Sequence, residues 1–278
     1  MTIAAKANSW ILHPRPNPHA SLRLFCFPFA GGGAQSFRAW PEALPSAVEA
    51  CPVQLPGRES RMKEPPFSDV SPMVDALAAA IRPSLDKPFA LFGHSMGAVI
   101  AFELARKLRR DYKLLPECLI VSARVAPHLP IPRPPINNLP PTEFLEALKA
   151  MKGTPKEVLE NVDLMEVITP LLRADLTVHE EYAYLEDTPL ECPILAFGGL
   201  QDTEASRQAL DAWREQTKAN FTLRMLPGEH FFIVTAQALF LRTLSQELYQ
   251  IARKATQVSL GASPSLVVTS PVQLAGSK

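Results

Sequence analysis

The stretch Pro88-Phe89-Ala90-Leu91-Phe92-Gly93-His94-Ser95-Met96-Gly97-Ala98-Val99-Ile100-Ala101-Phe102-Glu103-Leu104-Ala105 decides how this chain folds. Its first five residues are a short apolar run of strand character, and the run after Gly97 has apolar residues at helical spacing. Between them lies G-x-S-x-G. Strand, pentapeptide and helix in that order make a nucleophile elbow. The turn is so tight that its flanking positions must be small, and the serine hydroxyl is pushed out above the sheet edge. Gly and Ser are common residues, so the pentapeptide alone is weak evidence. Its setting is what points to an enzyme.

Outward from the elbow, short apolar runs alternate with amphipathic segments. Strands are predicted at Leu22-Phe27, Ala50-Gln54, Phe89-Phe92, Cys118-Ala123, Pro193-Phe197 and Phe221-Leu226, with Trp10-Leu12 a weaker seventh. Ser71-Pro72 offers a cap and a first-turn proline for a helix that carries Met73, Val74, Leu77 and Ile81 on one face. A last helix carries Val234, Ala238, Leu241, Leu244, Leu248 and Ile251, with Arg253 and Lys254 suited to its end. This alternation predicts an α/β fold with a doubly wound, mostly parallel sheet.

One region breaks the rhythm. Residues 127–135 are proline-rich, and the following fifty or so hold no convincing strand. Pro141-Thr142 leads into a helix through Met151, and Thr154-Pro155-Lys156-Glu157 joins a capping box to a first-turn proline. A further helix starts around Asp163 to Glu166 and meets Pro170, where a kink is expected. Residues 127–189 thus read as a helical lid inserted into a domain spanning 1–255. The apolar faces of 143–151 and 164–185 are expected to cover an acyl channel. The tail, 256–278, is rich in Ser, Pro, Gly, Val and Thr and reads as disordered.

Lys plus Arg and Asp plus Glu number 28 each in 278 residues, so no global charge draws the chain to nucleic acid or to an anionic membrane. No apolar stretch is long enough to span a bilayer, and residues 1–14 do not read as a secretion signal. Cys26, Cys51, Cys118 and Cys192 lack metal-ligand spacing and read as buried free thiols, which fits a cytoplasmic location; a monomer is expected.

A serine hydroxyl is a poor nucleophile at neutral pH and needs a base. Of six histidines, His94 lies within the elbow with its side chain expected to point away from that of Ser95, His13 and His19 are N-terminal, and His128 is in the proline-rich loop. His179, on the inserted helix, reads as solvated or packing. His230, in Leu226-Pro227-Gly228-Glu229-His230-Phe231-Phe232, follows the last strand and can hang over the same sheet edge as Ser95. The acid that orients it is expected at Asp202, just beyond the strand Leu195-Ala196-Phe197-Gly198-Gly199. Glu204 and Asp211 are the nearby alternatives, read as solvated charges of the next helix. The order Ser95, Asp202, His230 is that of α/β-hydrolases. Oxyanion donors are expected at the N–H of Met96 and in the Pro28-Phe29-Ala30-Gly31-Gly32-Gly33 loop. That triple glycine lacks G-x-G-x-x-G spacing and a Lys-Ser/Thr ending, which sets phosphate binding aside.

Phe27-Pro28-Phe29-Ala30-Gly31-Gly32, Ser36-Phe37-Arg38-Ala39-Trp40-Pro41, Gln54-Leu55-Pro56-Gly57-Arg58-Glu59, the elbow, Ala126-Pro127-His128 and Gly228-Glu229-His230-Phe231-Phe232 occur in collinear order over roughly residues 20–253. In this the chain resembles the type II thioesterases, stand-alone editing enzymes of non-ribosomal peptide and polyketide synthases, similar in turn to the medium-chain thioesterases of fatty-acid synthesis. The resemblance implies an α/β-hydrolase fold, the triad Ser95, Asp202 and His230, oxyanion donors at Ala30 and Met96, and no metal or organic cofactor. It implies as substrate an acyl thioester on the phosphopantetheine arm of a carrier protein. Two departures stand out: the family often has Gly at the position of Glu229, and the tail beyond Thr256 has no counterpart. Arg58 and Glu59 read equally well as charges that fix the Pro56-Gly57 turn, so they are not counted in the site. The rival readings are a carboxylesterase or lipase acting on oxygen esters, acyl transfer to another acceptor, and a non-catalytic carrier-binding partner.

Overall fold

The computed structural model describes residues 9–261. Six strands form one sheet: β1 (Leu22–Phe27), β2 (Val48–Pro52), β3 (Phe89–His94), β4 (Cys118–Ser122), β5 (Ile194–Gly199) and β6 (Phe221–Leu226). Their order is β2-β1-β3-β4-β5-β6, and every neighbouring pair is parallel. The chain leaves β1 to one side for β2 and then crosses to the other side for β3. That reversal places a crevice beyond the carboxyl ends of β1 and β3, where ligands bind in open parallel sheets. Register aligns the functional ends: Phe27 lies opposite Gly93, His94 opposite Ser122, and Gly199 opposite Leu226.

Both faces of the sheet are covered, which explains why the inner strands β3, β4 and β5 are buried at every position rather than alternating. Phe25, Phe27, Leu91, Leu119 and Val121 face the helices Val70–Ile81 and Met96–Lys107. Leu24, Cys26, Ala90, Phe92 and Ile120 face the other way, toward Trp40 and the long C-terminal helix Gln237–Gly261. There the Trp40 and Phe92 rings meet at 4.8 Å, and Phe240 lies 5.6 Å from Trp40. The four cysteines are free and buried. No helix among the described residues is long and apolar enough to cross a membrane.

Helix starts differ from the sequence reading in instructive ways. Asp69, not Ser71, caps Val70–Ile81, its carboxylate accepting the Ser71 N–H at 2.8 Å. An aspartate in extended backbone is the better acceptor for an orphan amide of the first turn. Thr154 caps nothing: Lys156–Leu159 begins after Pro155 with no side-chain cap. Asn161 caps Val162–Glu180 by accepting the Leu164 N–H, so the helix starts one residue before Asp163, and Pro170 lies inside this helix. β2 begins two residues earlier than expected, and Trp10-Leu12 supplies only an antiparallel bridge from Ile11 to Val53. Val234 belongs to a separate short helix, Phe232–Thr235. The C-terminal helix continues to Gly261, so residues 256–261 of the expected tail are helical; the rest of that tail lies outside the described residues.

Between β4 and β5 the chain forms Pro141–Met151, Lys156–Leu159 and Val162–Glu180. These share a small core of their own: Ile136, Phe144, Leu148, Leu159, Leu172 and Leu176, with Ala30 packed against it. Leu148 and Leu172, expected to face an acyl channel, are buried in that core.

Candidate active site

Ser95 is the single residue between β3 and the helix Met96–Lys107, at φ +54° and ψ −115°. Such backbone costs about 1–3 kcal/mol and must be held by its surroundings. The Ser95 N–H donates to Ser122 O at 2.8 Å. The two elbow glycines are required by close approach: a Cβ on Gly93 would lie 2.0 Å from Gly97 O, and one on Gly97 would lie 2.2 Å from Phe27 O.

Asp202 and His230 reach the same edge from the ends of β5 and β6. The two loops are laced together: Leu200 N–H donates to Leu226 O, Gln201 N–H to Gly228 O, and Gly228 N–H to Gln201 Oε1 at 2.7 Å. His230 Nδ1 lies 3.0 Å from Asp202 Oδ2, with both side chains nearly buried. Asp202 Oδ1 accepts the N–H groups of Glu204 and Ala205 at 2.8 and 3.1 Å. Burial pushes this carboxyl up, but the bond from His230 and the two amides outweigh it and hold it below the usual carboxylate range. With Nδ1 donating to a carboxylate, Nε2 of the neutral ring is the acceptor. Among the described residues no hydrogen bond joins Ser95 to His230, the contact that in such sites often tightens only with substrate bound.

The rival acids are placed elsewhere. Glu204 is not helical; it sits in the turn after Asp202 and reaches Arg133. Asp211 ends the helix Arg207–Asp211 and pairs with Arg214. Four of the other histidines are engaged elsewhere. His94 is fully buried, its Nδ1 2.9 Å from Ser122 Oγ and its ring 5.4 Å from that of His230. Burial, then the charge of His230, lowers its pKa well below the ordinary value, so it stays neutral. His179 is packing rather than solvated: it is buried against Arg124, 2.9 Å away. His128 is held by Gln216 and Glu215, and His13 by Glu49.

Met96 opens its helix, where the first amides have no intrahelical carbonyl partner. In the loop after β1, Gly32 N–H donates to Phe29 O and Gly31 N–H donates to Asp175 Oδ2, so the backbone is pinned on both sides of Ala30. His13, Glu49 and Cys51 converge on the outer strand β2 and are the one metal-like group among the described residues. Glu49 is already paired with Arg23 at 3.0 Å, and burial raises the Cys51 thiol far above its usual value, so the group is an ion-pair cluster.

The Thioesterase domain family matches residues 22–248. The chain belongs to the thioesterase family. Linear gramicidin dehydrogenase LgrE of Brevibacillus parabrevis is 45% identical over 86% of this chain and 92% of its own. Among solved structures, RedJ, a thioesterase of the prodiginine pathway in Streptomyces coelicolor, superposes with a TM-score of 0.79 at 38% identity, covering 89% of this thioesterase and 96% of RedJ. YbtT, a type II thioesterase from the yersiniabactin non-ribosomal peptide and polyketide pathway, does so at 0.77 and 31%, covering 87% and 99%. The dehydrogenase in the first name has no counterpart in this thioesterase's glycine loop: the last glycine of a G-x-G-x-x-G begun at Gly31 would fall on Ser36.

Two residues that the sequence reading left out sit against the glycine loop of the candidate site. Arg58 is buried and paired with Asp175, which lies on the inserted helix and touches the glycine loop. The signal for Asp175 was present: Leu172, Asp175, Leu176 and His179 share one helix face, and a carboxylate in an apolar stripe demands a buried partner.

Proposed function

We propose that this thioesterase hydrolyses acyl or aminoacyl thioesters on the phosphopantetheine arm of carrier proteins, through a Ser95-His230-Asp202 triad. The single observation that carries the triad is the 3.0 Å bond from His230 Nδ1 to Asp202 Oδ2 at the sheet edge where the elbow presents Ser95. Ser95 Oγ attacks the thioester carbonyl as His230 Nε2 takes its proton, and the tetrahedral oxyanion accepts the N–H groups of Ala30 and Met96. The C–S bond breaks, the sulfur receives the proton from His230, and the acyl group is left on Ser95. Water then gives a proton to His230 and its oxygen to the acyl carbon, Ser95 regains its proton, and the acid departs. Asp202 holds the ring in the required tautomer and favours the charged imidazole that forms in both halves. The pathways named for RedJ and YbtT support editing or release in non-ribosomal peptide or polyketide synthesis, and a cytoplasmic monomer suits that task.

The test compares one acyl chain as a pantetheine thioester and as an oxygen ester. A kcat/KM at least tenfold higher for the thioester is expected; a preference for the oxygen ester would replace this reading with that of a carboxylesterase.

A further inference from the structure

The inserted helix Val162–Glu180 carries a carboxylate, Asp175, that is 0% exposed and turned toward the glycine loop. Arg58 Nη1 and Nη2 donate to its two oxygens at 2.6 and 2.8 Å. Arg58 Nη1 also donates to Gly32 O at 2.9 Å, and Nε donates to Pro56 O at 3.2 Å. Asp175 Oδ2 accepts the Gly31 N–H at 2.8 Å. The pair thus grips the loop by the amide of one glycine and the carbonyl of the next. The same helix lays Leu172 over Gly31, whose φ is +76°; a Cβ there would be 2.5 Å from Leu172 Cδ2.

Removing two charges from water is costly, and well-packed apolar side chains commonly stabilise a core as well or better. What a planar guanidinium clamped on a carboxylate does supply is fixed geometry. Here that geometry is spent on the peptide units next to Ala30. An oxyanion donor acts only if aimed to within a fraction of an ångström.

We propose that Arg58 and Asp175 are positioning residues for the oxyanion hole: they set the 29–33 loop so that Ala30 N–H points at the developing oxyanion, and do so only while the Val162–Glu180 helix is seated. Seating of the inserted helix and completion of the hole are then one event. This rests on the assignment of Ala30 and Met96 as donors to an acyl-Ser95 intermediate.

Three variants test it: Asp175→Asn, which keeps the shape but not the charge; Arg58→Lys, which keeps the charge but cannot span both carboxylate oxygens and Gly32 O; and the apolar pair Arg58→Met with Asp175→Leu. Each is measured for kcat and KM on an acyl-pantetheine thioester. Each is also measured for affinity toward a trifluoromethyl ketone, whose serine adduct places an oxyanion in the hole, and toward the matching unreactive amide, which makes no adduct. Every folded variant is expected to lose about 10- to 100-fold in kcat with KM and amide affinity within about twofold, and to lose ketone affinity by the same factor as kcat. Arg58→Lys at wild-type kcat and ketone affinity, or a folded apolar pair with wild-type kcat, would overturn the proposal. Ser95→Ala in the same assay separates the two levels. If it retains turnover the assignment of the site is wrong, whereas a dead Ser95→Ala beside a fully active Arg58→Lys overturns the positioning role alone.

Discussion

The proposed triad Ser95, Asp202 and His230 comes from loops up to 135 residues apart, yet each candidate could be picked out from its own neighbours. An elbow, an acid past a buried strand and a histidine before the last helix are local patterns, and a parallel sheet brings the ends of its strands to one edge. Replacing Ser95 or His230 by Ala should lower kcat by several orders of magnitude, roughly 10⁶-fold where triads have been dissected, with the circular dichroism spectrum unchanged. The two losses should not add in the double variant, because the residues act as a unit. More than a few per cent residual activity in Ser95→Ala would assign the nucleophile elsewhere. Asp175 was not legible in the same way: its partner Arg58 is 117 residues away, and only the packed helix joins them. Glu229, the departure from the family pattern, pairs with Lys152 at 2.9 Å, but both are exposed, and such a pair contributes little.

At the scale of elements, the inner strands β3, β4 and β5 were readable because buried parallel strands are largely apolar runs. Their ends, and the caps of helices, were not, since a cap depends on which nearby side chain reaches an amide once the turn has formed, as Asp69 does in place of Ser71. The inserted helices lie between β4 and β5 as expected, with Leu148 and Leu172 taken up in a core of their own. Leu148 and Leu172 hold the insertion together, so a charge at either would cost folding. The exposed large apolar side chains of the helix Val162–Glu180 are Val162, Leu164 and Val167, at 79%, 45% and 60% exposure. If the insertion meets the carrier, Val162→Glu and Val167→Glu should raise KM for an acyl-carrier severalfold. Turnover of a free pantetheine thioester and the Tm should stay as in wild type. Unchanged carrier kinetics in both variants would remove this helix from the docking surface.

For the molecule as a whole, folding buries two histidines, His94 and His179, in neutral form. Burial lowers His94 and His179 well below the ordinary imidazole value, helped by His230 at the first and by Arg124 at the second. In the unfolded chain both titrate near about 6.5. Below that pH the unfolded state binds more protons than the folded one, so stability falls as pH falls, at up to roughly 1.4 kcal/mol per pH unit for each histidine. Urea midpoints measured from pH 7.5 to 5.5 should therefore drop on the acid side, and His179→Asn should flatten the slope; a midpoint flat across this range would contradict neutral burial. The sheet that buries these rings is also what gathers Ser95, Asp202 and His230. The most direct test of that gathering is the mass of a carrier protein loaded with an acyl-phosphopantetheine, followed with time. Wild-type enzyme should return it to the free-thiol mass while Ser95→Ala leaves the acyl group in place; deacylation by Ser95→Ala at the wild-type rate, or none by the wild type, would contradict the account.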